Sequence, residues 1–357
     1  MDDPNKSKMD YNDLYKLLDE MDSVLRRNPL GRVYDDLYSR NPAPAMDGAD
    51  SAGQDQEPPV QYGTGNGAPK DEAPVAEKPR RSLEELMAEL NGLVGLKKVK
   101  EDVRSLANMV KIMKMRKERG LPEVEMSLHL VFTGNPGTGK TTVARLLSEI
   151  YREIGVLSKG HLVEVDRSRL VAKYVGQTAP QVMEVVREAM GGVLFIDEAY
   201  SLVSRRGEND FGYEAVDTLL KAMEDYRDDL IVIVAGYPDK MEEFLESNPG
   251  LQSRFNKYIH FEDYTPEELV AIFDRMCEKN GYKTTDEARE KVAGMLKTLY
   301  ENRDENFANA RTVRNLFEKI LTVHADRLAE KESITDEELV TIIAEDVDKI
   351  DFGGLLR

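Results

Sequence analysis

One stretch decides the fold: Gly134-Asn135-Pro136-Gly137-Thr138-Gly139-Lys140-Thr141-Thr142. It matches G-x-x-x-x-G-K-[ST], a pattern whose glycines let successive backbone N–H groups curl around a polyphosphate. The apolar run 128–133 before it has the length of a strand, and apolar residues after it recur at helical spacing, at Val143, Leu146, Leu147 and Ile150. The stretch is therefore predicted to join a buried strand to a helix N-terminus, where the helix dipole favours phosphate. The alternative is an ordinary glycine-rich turn, but such a turn does not require a buried strand before it and a helix after it.

Two side chains of this loop carry chemistry. Lys140 is predicted to reach the terminal phosphates of a nucleotide, and the Thr141 hydroxyl is predicted to hold Mg²⁺. The nucleotide-binding residues predicted here are Asn135, Pro136, Gly137, Thr138, Gly139, Lys140, Thr141 and Thr142.

A second chemical element follows about sixty residues later. The apolar run Val193-Leu194-Phe195-Ile196 reads as a buried strand, and it ends in Asp197 and Glu198. Ligands of α/β sheets bind at the carboxyl ends of the strands. Asp197 is therefore predicted to bind Mg²⁺ and Glu198 to polarise an attacking water, which is the arrangement of a hydrolase. The chain lacks the guanine-reading pattern N-K-x-D, so ATP is the expected nucleotide.

Composition limits the possible functions. The chain has 357 residues, of which 41% are hydrophobic and 32% charged, and its net charge is −18. This acidity argues against a protein built mainly to hold nucleic acid. Cys277 is the single cysteine, so no intrachain disulfide is possible, and no apolar run approaches membrane-spanning length. The start lacks the pattern of a signal peptide, and a cytoplasmic setting is expected.

The chain divides by pattern into five parts. A helical arm is predicted at 1–40, and its apolar stripe fits either a docked arm or a partner-binding module. A disordered linker is predicted at 41–81, where seven of the fifteen prolines fall. An α/β domain at 82–263 alternates helices with five strand-like runs, which predicts a parallel sheet covered on both faces. A smaller all-α domain at 264–350 and a tail at 351–357 complete the chain.

Helix signals mark both folded parts. Ser82 and Glu85 form a predicted capping box, and Thr265-Pro266 followed by Glu268 gives another. In the all-α domain the predicted helices are 266–280, 286–302, 311–330 and 336–347.

These motifs together resemble the AAA+ ATPases, and finer agreement points to their CbxX/CfxQ branch. The stretches that carry the resemblance are Gly134–Thr142, Lys173–Pro180, Met190–Tyr200, Asp210–Gly212, Val234–Pro238, Asn248–Leu251 and Phe307–Asn315. The resemblance runs from about residue 83 to the mid-340s and does not include the arm. It implies a P-loop module with a five-stranded parallel sheet, followed by a smaller helical lid.

The resemblance also implies site residues. Arg254 matches the arginine finger, which reaches into the nucleotide site of a neighbouring subunit. Arg311 matches the sensor 2 position on the lid, with Arg314 as the reserve candidate. The loop of Val94, Gly95 and Leu96 matches the segment that lines adenine and ribose. Tyr237 falls at the sensor 1 position, where most AAA+ proteins have a short polar residue, so the group that orients the water stays open.

The function implied is an ATP-driven, ring-forming remodeller of a protein substrate, with a hexamer as the expected homo-oligomer. Tyr174 and Val175, followed by Gly176, resemble the pore loop with which such rings grip an extended peptide. A packed tyrosine in a turn is the plainer interpretation. Two other functions stay open. One is an ATP-gated assembly factor that does not thread its partner. The other is a nucleic-acid motor, which the net charge opposes.

Overall fold

The computed structural model describes residues 80–122, 126–203, 210–304 and 307–350. The predicted arm, almost all of the predicted linker and the tail lie outside the described residues. None of the helices in the described ranges combines the length and the apolar composition that crossing a lipid bilayer requires.

A five-stranded parallel sheet forms the centre of the first domain, as predicted. Its strands lie in the order β2-β3-β4-β1-β5. They are β1 (Leu130–Gly134), β2 (Leu162–Val165), β3 (Val193–Ile196), β4 (Ile231–Gly236) and β5 (Tyr258–Phe261). Every residue of β3 and β4 is buried, which explains why these strands read as continuous apolar runs rather than as alternating ones.

Helices cover both faces of this sheet. They are α1 (Leu83–Gly92), α2 (Lys97–Glu118), α3 (Lys140–Glu153), α4 (Arg167–Leu170), α5 (Thr178–Ala189), α6 (Gly212–Asp225), α7 (Pro238–Glu246) and α8 (Pro249–Arg254). Successive strand residues enter different cores: Phe132 packs with α1, α2 and α3, whereas Val131 packs with α5, α6 and α7. This alternation follows from the two-residue period of a strand. The capping box at Ser82 and Glu85 is present as predicted.

The second domain is mainly helical. It contains α9 (Pro266–Lys279), α10 (Asp286–Glu301), α11 (Ala310–Ala329), α12 (Asp336–Val340) and α13 (Ala344–Asp348). The predicted capping box at Thr265 begins α9. The core of this domain joins all of these helices except α12 through buried aliphatic and aromatic residues.

The predicted helix 336–347 is wrong in its middle. A short strand, β7 (Thr341–Ile342), separates α12 from α13 and pairs in parallel with β6 (Lys283–Thr284). The run Val340-Thr341-Ile342-Ile343 is β-branched throughout, and such side chains lose rotamer freedom in a helix. The extended backbone also places Ile342 fully inside the core. Local chemistry and burial therefore outweigh the helical spacing at this point.

A buried ion cluster ties α13 to α11. Asp346 is fully buried and accepts hydrogen bonds from the Arg327 guanidinium, at 2.6 Å from Nε and 3.1 Å from Nη2. His324 Nδ1 lies 3.3 Å from the same carboxylate. Burial raises the pKa of Asp346, but the hydrogen bonds from Arg327, the Ile343 N–H and His324 outweigh it, so the pKa lies below its ordinary value.

Asp346→Ala is expected to lower the free energy of unfolding by about 3 kcal/mol, because it leaves the Arg327 guanidinium, whose side chain is 11% exposed, without its carboxylate partner. Asp348→Ala is the matched control, since Asp348 pairs with Lys291 at the surface of the same helix, and it is expected to cost less than about 1 kcal/mol. Urea unfolding of both variants tests this. The wild-type contribution is complete above about pH 4 and is lost as the pH falls through the lowered pKa of Asp346. Equal effects of the two substitutions would contradict the assignment.

Candidate functional site

The phosphate-binding loop lies at the carboxyl edge of the sheet, between β1 and α3. Gly139 precedes the first residue of α3 with φ 96°, and Gly137 has φ 71°, both in the left-handed region that glycine tolerates. A Cβ at Gly137 would lie 2.1 Å from the Ala308 carbonyl oxygen. Only glycine therefore lets the lid approach the loop this closely.

Lys140 lies inside the loop. Its Nζ donates to the carbonyl oxygens of Gly134, at 2.7 Å, and of Asn135, at 2.8 Å. Burial lowers the pKa of Lys140 to about 8. The charge of Asp197 opposes this shift, and the charge of Arg311 adds to it. The structure thus brings together three residues that the sequence placed far apart, from the loop, the end of β3 and the lid.

The two acidic residues after β3 have different environments. The Asp197 N–H donates to the Val165 carbonyl at 2.9 Å, which continues the pairing of β3 with β2. Glu198 is exposed and has left-handed backbone angles, φ 48° and ψ 43°. Its N–H donates to the Asp197 carboxylate at 3.0 Å. A non-glycine residue in this region costs about 1–3 kcal/mol, and such positions cluster at functional sites.

Oxygen-bearing side chains meet near Thr141. Its hydroxyl donates to Glu164 Oε1 at 3.4 Å, and Glu164 lies in the middle of β2. Burial raises the pKa of Glu164, and the nearby charge of Asp197 raises it further. A hydroxyl and one or two carboxylates are the ligands with which Mg²⁺ is held beside substrate phosphates. In the described part of the chain, no group of three or more His, Cys, Asp or Glu residues could cage a metal. The donor set therefore fits Mg²⁺ shared with phosphates.

Glu164 was missed by the sequence analysis. Its signal in the sequence is weak: it is a single acidic residue inside a short, mainly apolar strand, and the sequence does not show that this strand lies beside β3.

A network of hydrogen bonds joins the lid to the loop. Asn309 is fully buried just before α11, and its amide nitrogen donates to Asp263 Oδ1 at 2.7 Å. Asp263 also accepts from the Asn135 amide at 3.0 Å. The Ala310 N–H donates to the Gly137 carbonyl at 3.2 Å. The carboxylate of Asp263 therefore links the loop to the lid.

Tyr264, three residues after the end of β5, adds two hydrogen bonds to this link. Its hydroxyl donates to the Thr138 carbonyl at 3.1 Å, and its N–H donates to Asn309 Oδ1 at 2.9 Å. Asp263, Tyr264 and Asn309 were not identified from sequence, because their roles depend on contacts between distant segments.

The predicted adenine-lining loop lies between the two domains. Leu96 has φ 55° and contacts both the sheet-domain core and the lid core. A Cβ at Gly95 would lie 2.5 Å from a carboxylate oxygen of Glu268, near the start of α9. Val94 is half-buried beside them. The binding of adenine and ribose by this loop stays a prediction.

Arg311 and Tyr237 face the same site. Arg311 is near the start of α11 and exposed, and its charge acts on both Lys140 and Tyr237. This placement favours Arg311 over Arg314 as the lid arginine. The Tyr237 ring follows β4 and packs against the Tyr200 ring, with their centroids 6.2 Å apart. Burial raises the pKa of Tyr237, and the charge of Glu198 also raises it.

Arg254 lies at the opposite edge of the sheet. Its carbonyl accepts from the Ser127 hydroxyl at 2.5 Å, and its charge is among the causes, after burial, that lower the pKa of His129 to about 4. Ser127 and His129 precede β1, whereas the phosphate-binding loop follows it. Five residues of β1 span about 16 Å. The structure therefore does not bring Arg254 to the nucleotide loop of its own chain. Its guanidinium pairs with Glu224 at 3.3 Å, a partner that sequence reasoning missed.

Tyr174 and Val175 extend from the loop between α4 and α5. Their exposed fractions are 69% and 81%, the highest of any large apolar residue in the described ranges. Gly176 has φ 77°, and no atom lies within 4 Å of where its Cβ would be. The structure does not place Tyr174 as a packed side chain in a turn.

Two family models match the chain. Residues 130–263 match the ATPase family associated with various cellular activities (AAA), and residues 265–353 match the AAA lid domain.

Relatives of known name match over about three quarters of the chain. Protein CbxX, chromosomal, of Cupriavidus necator is 45% identical, over 74% of this chain and 84% of its own. Stage V sporulation protein K of Bacillus subtilis is 43% identical, over 74% and 82%. The chloroplastic ribulose bisphosphate carboxylase/oxygenase activase of Cyanidioschyzon merolae is 44% identical, over 74% and 91%.

A solved structure confirms the fold. The FIGL-1 AAA domain superposes with a TM-score of 0.53 at 18% identity, covering 75% of this chain and 83% of that one.

The fold and the nucleotide loop define a P-loop ATPase with a helical lid. The chain belongs to the AAA+ ATPase family, in the branch that contains the CbxX and CfxQ proteins. It is an enzyme that binds nucleotide and hydrolyses ATP, as the sequence analysis predicted.

Asn309 provides a test of the link between lid and loop. Its backbone has φ 47° and ψ −121°, so Asn309→Ala should suffer strain as well as losing the amide's hydrogen bonds, whereas Asn309→Gly should lose only the hydrogen bonds. We expect both to weaken binding of a fluorescent ATP analogue, and the alanine variant to be less stable than the glycine variant by about 1 kcal/mol. Titration and thermal unfolding measure the two effects. Wild-type affinity in both variants would show that the link does not support nucleotide binding.

Proposed function

We propose that this ATPase assembles into a ring, most simply a hexamer, and uses ATP hydrolysis to remodel a protein substrate that its pore loops grip. The observation that carries the proposal is the position of Arg254. This arginine lies beside the residues that precede β1, about 16 Å of strand away from the phosphate-binding loop that follows it. If Arg254 stabilises a transferred phosphoryl group, it must therefore do so in another copy of the chain.

The residues of one chain would supply the rest of the chemistry. Lys140 and the N–H groups of the loop bind the β- and γ-phosphates. Glu198 accepts a hydrogen bond from the attacking water and orients it toward the γ-phosphorus. Arg311 approaches the same phosphate from the lid.

Thr141 and Asp197, with Glu164 beside them, would hold Mg²⁺ bound to ATP. That ion supplies neutralisation of the charge that develops on the phosphate oxygens.

Arg254 completes the site from the neighbouring copy. A guanidinium presented to the phosphoryl group in the transition state increases the rate by about 10³–10⁵ in well-studied cases. In one isolated chain Arg254 instead pairs with Glu224 at 3.3 Å. Assembly would exchange this ion pair for the phosphate, so hydrolysis should increase with oligomerisation.

The pore-loop assignment is supported by exposure. Two adjacent large apolar side chains, 69% and 81% exposed, leave apolar surface in water at a cost in free energy. Exposed apolar patches mark sites of interaction with other molecules. A flat aromatic ring such as Tyr174 grips many peptide sequences, because it buries a large area and loses little conformational freedom. We propose that Tyr174 and Val175 line the axial channel of the ring.

The relatives suggest the class of substrate. One relative is named as an activase of ribulose bisphosphate carboxylase/oxygenase, and another is named for sporulation. The second name gives no substrate, so we propose only that this chain acts on a protein substrate, in the cytoplasm.

The alternative is an ATP-gated assembly factor. The hydrogen bonds that join Asn309, Asp263 and the loop support this alternative. Through them, binding of a nucleotide at the loop would change the position of the lid, and no threading of a partner would be needed. The position of Arg254 is common to both functions, whereas the exposed pair of Tyr174 and Val175 favours remodelling. The net charge of −18 opposes a nucleic-acid motor.

Assembly is tested with Glu198→Gln, which should keep ATP bound while stopping hydrolysis. With Mg-ATP we expect the solution mass, measured by light scattering, to shift to that of a ring. Arg254→Ala added to this background should reduce the shift. Arg227→Ala is the matched control, because Arg227 also pairs with Glu224, at 3.2 Å. A monomer under all conditions would contradict the ring.

The pore is tested by crosslinking, because Cys277 is the single cysteine. In a Cys277→Ser background, Tyr174→Cys is expected to give ATP-dependent crosslinks between copies with a short bismaleimide, since loops around an axis converge. Ile334→Cys is the control, as this side chain is exposed on the lid. A ring-sized particle with no crosslink at Tyr174 would show that this loop lies away from the axis.

A further inference from the structure

We propose that Ser127 is the positioning residue of the arginine finger. With Lys257 it fixes the backbone that carries Arg254, so that only the side chain moves when the guanidinium exchanges Glu224 for a phosphate. The inference rests on the proposed role of Arg254 in the nucleotide site of a neighbouring copy. It assigns a function to Ser127, which lies three residues before β1 and carries no role in the sequence patterns described above.

The connection from α8 to β5 is short and is held at both ends by one residue. α8 ends at Arg254 and β5 begins at Tyr258, so only residues 255–257 join them. The Ser127 hydroxyl donates to the Arg254 carbonyl at 2.5 Å, and Lys257 Nζ donates to the Ser127 carbonyl at 2.5 Å. Carbonyls in the last turn of a helix have no partner within the helix. Ser127 therefore supplies the partner for the carbonyl of the residue that carries the finger.

The hydroxyl of Ser127 has a defined orientation. Besides donating to Arg254, it accepts a long hydrogen bond from the His129 N–H, at 3.4 Å. A serine hydroxyl has one proton to donate and lone pairs with which to accept. Rotation of the Ser127 side chain would therefore break both hydrogen bonds, and the donor stays directed at the end of α8.

The segment that carries Ser127 is attached to the central sheet. His129 is buried, and its Nδ1 accepts from the N–H of Val232 in β4 at 3.0 Å. Burial lowers the pKa of His129 to about 4, so the ring is neutral near pH 7 and Nδ1 can accept. The His129 ring also packs against the buried ring of Phe255, the residue after the finger, with the centroids 6.0 Å apart. The position of Arg254 is thereby fixed relative to the inner strands.

The side chain of Arg254 is held less firmly than its backbone. Its guanidinium pairs with Glu224 at 3.3 Å, and the two side chains are 29% and 53% exposed. Such a partly exposed ion pair contributes little to stability. In the described ranges, Arg254 Nε is a buried atom that has no hydrogen-bond partner, which is an unfavourable state for a donor. A phosphate would offer this guanidinium more acceptors than Glu224 does, so the side chain can move while its Cα stays in place.

The expected size of the effect follows from the accuracy that a finger requires. A guanidinium supplied to the phosphoryl group increases hydrolysis by about 10³–10⁵ in well-studied cases. Misplacement of a reacting group by about 1 Å can cost about a hundredfold in rate. Loss of the Ser127 hydroxyl leaves the contacts of Phe255 and Lys257 in place, so we expect a smaller loss, of about tenfold.

The test is steady-state ATP hydrolysis by the full chain, at concentrations where the specific activity no longer rises with chain concentration. Ser127→Ala is expected to lower kcat about tenfold. KM for ATP and the thermal midpoint should stay close to wild type, because the phosphate-binding loop and the cores are unchanged. Ser127→Thr keeps the hydroxyl and should restore most of kcat. Lys257→Met keeps the aliphatic stem but removes the ammonium, and it should lower kcat as Ser127→Ala does.

Ser247→Ala is the matched control. Ser247 is half-buried like Ser127, and its hydroxyl also donates to a carbonyl in the last turn of a helix, that of Phe244 in α7, at 2.6 Å. The substitution therefore removes the same kind of hydrogen bond at a place that does not hold the finger. It should leave kcat unchanged.

Removal of the finger shows whether Ser127 acts through it. In an Arg254→Ala background, Ser127→Ala should cause no further loss of hydrolysis, since both substitutions act on the same guanidinium. The slow residual reaction of this background is measured as a single turnover of radiolabelled ATP.

The outcomes separate this proposal from the function on which it rests. Wild-type kcat in Arg254→Ala would contradict the role of Arg254 and, with it, that of Ser127. If Arg254→Ala is slow and Ser127→Ala keeps wild-type kcat, the finger stands and the role of Ser127 is wrong. An equal loss from Ser127→Ala with and without Arg254, or a lowered thermal midpoint with unchanged kcat, would give Ser127 a structural role only and overturn the proposal.

Discussion

The direct contact of the lid with the phosphate-binding loop is the constraint on which the rest of the site depends. Gly137 can meet the Ala308 carbonyl only because it has no Cβ, and the Ala310 N–H donates to the Gly137 carbonyl on the same side. Asp263 accepts from Asn135 in the loop and from Asn309 before α11. The conformation of the loop and the position of the lid are therefore coupled by partly buried hydrogen bonds, which are costly to leave unmade.

Backbone strain is concentrated around the nucleotide site. In the described ranges, the non-glycine residues with positive φ are Leu96, Glu198 and Asn309. One lies in the loop between the domains, one carries the proposed catalytic carboxylate and one joins the lid to the loop. Each conformation costs free energy that the surrounding contacts must offset. All three residues lie near the nucleotide site, so these strained conformations are associated with the placement of side chains at the site.

The two edges of the sheet have different functions. The carboxyl edge collects Lys140, Asp197, Glu198 and Arg311, as parallel strands with helical connections require. The opposite edge holds Arg254 with Glu224, Ser127 and His129. A single chain therefore has most of a hydrolytic site at one edge and the proposed arginine finger at the other. This division explains why the proposed ring would be needed for hydrolysis, because Arg254 of one copy would complete the nucleotide site of the next copy.

The sequence by itself determined the elements whose signals are local. The loop Gly134–Thr142, the apolar strand before Asp197 and the capping boxes at Ser82 and Thr265 follow from spacing and residue type within one segment. Family resemblance added Arg311, but it left Tyr237 unexplained. Tertiary structure decided the rest. Glu164, Asp263 and Asn309 act through partners in other segments, and the extended residues 341–342 pair with a strand almost sixty residues earlier. Helix and strand propensities act over a few residues, whereas burial and hydrogen bonding join residues that only the folded chain brings together.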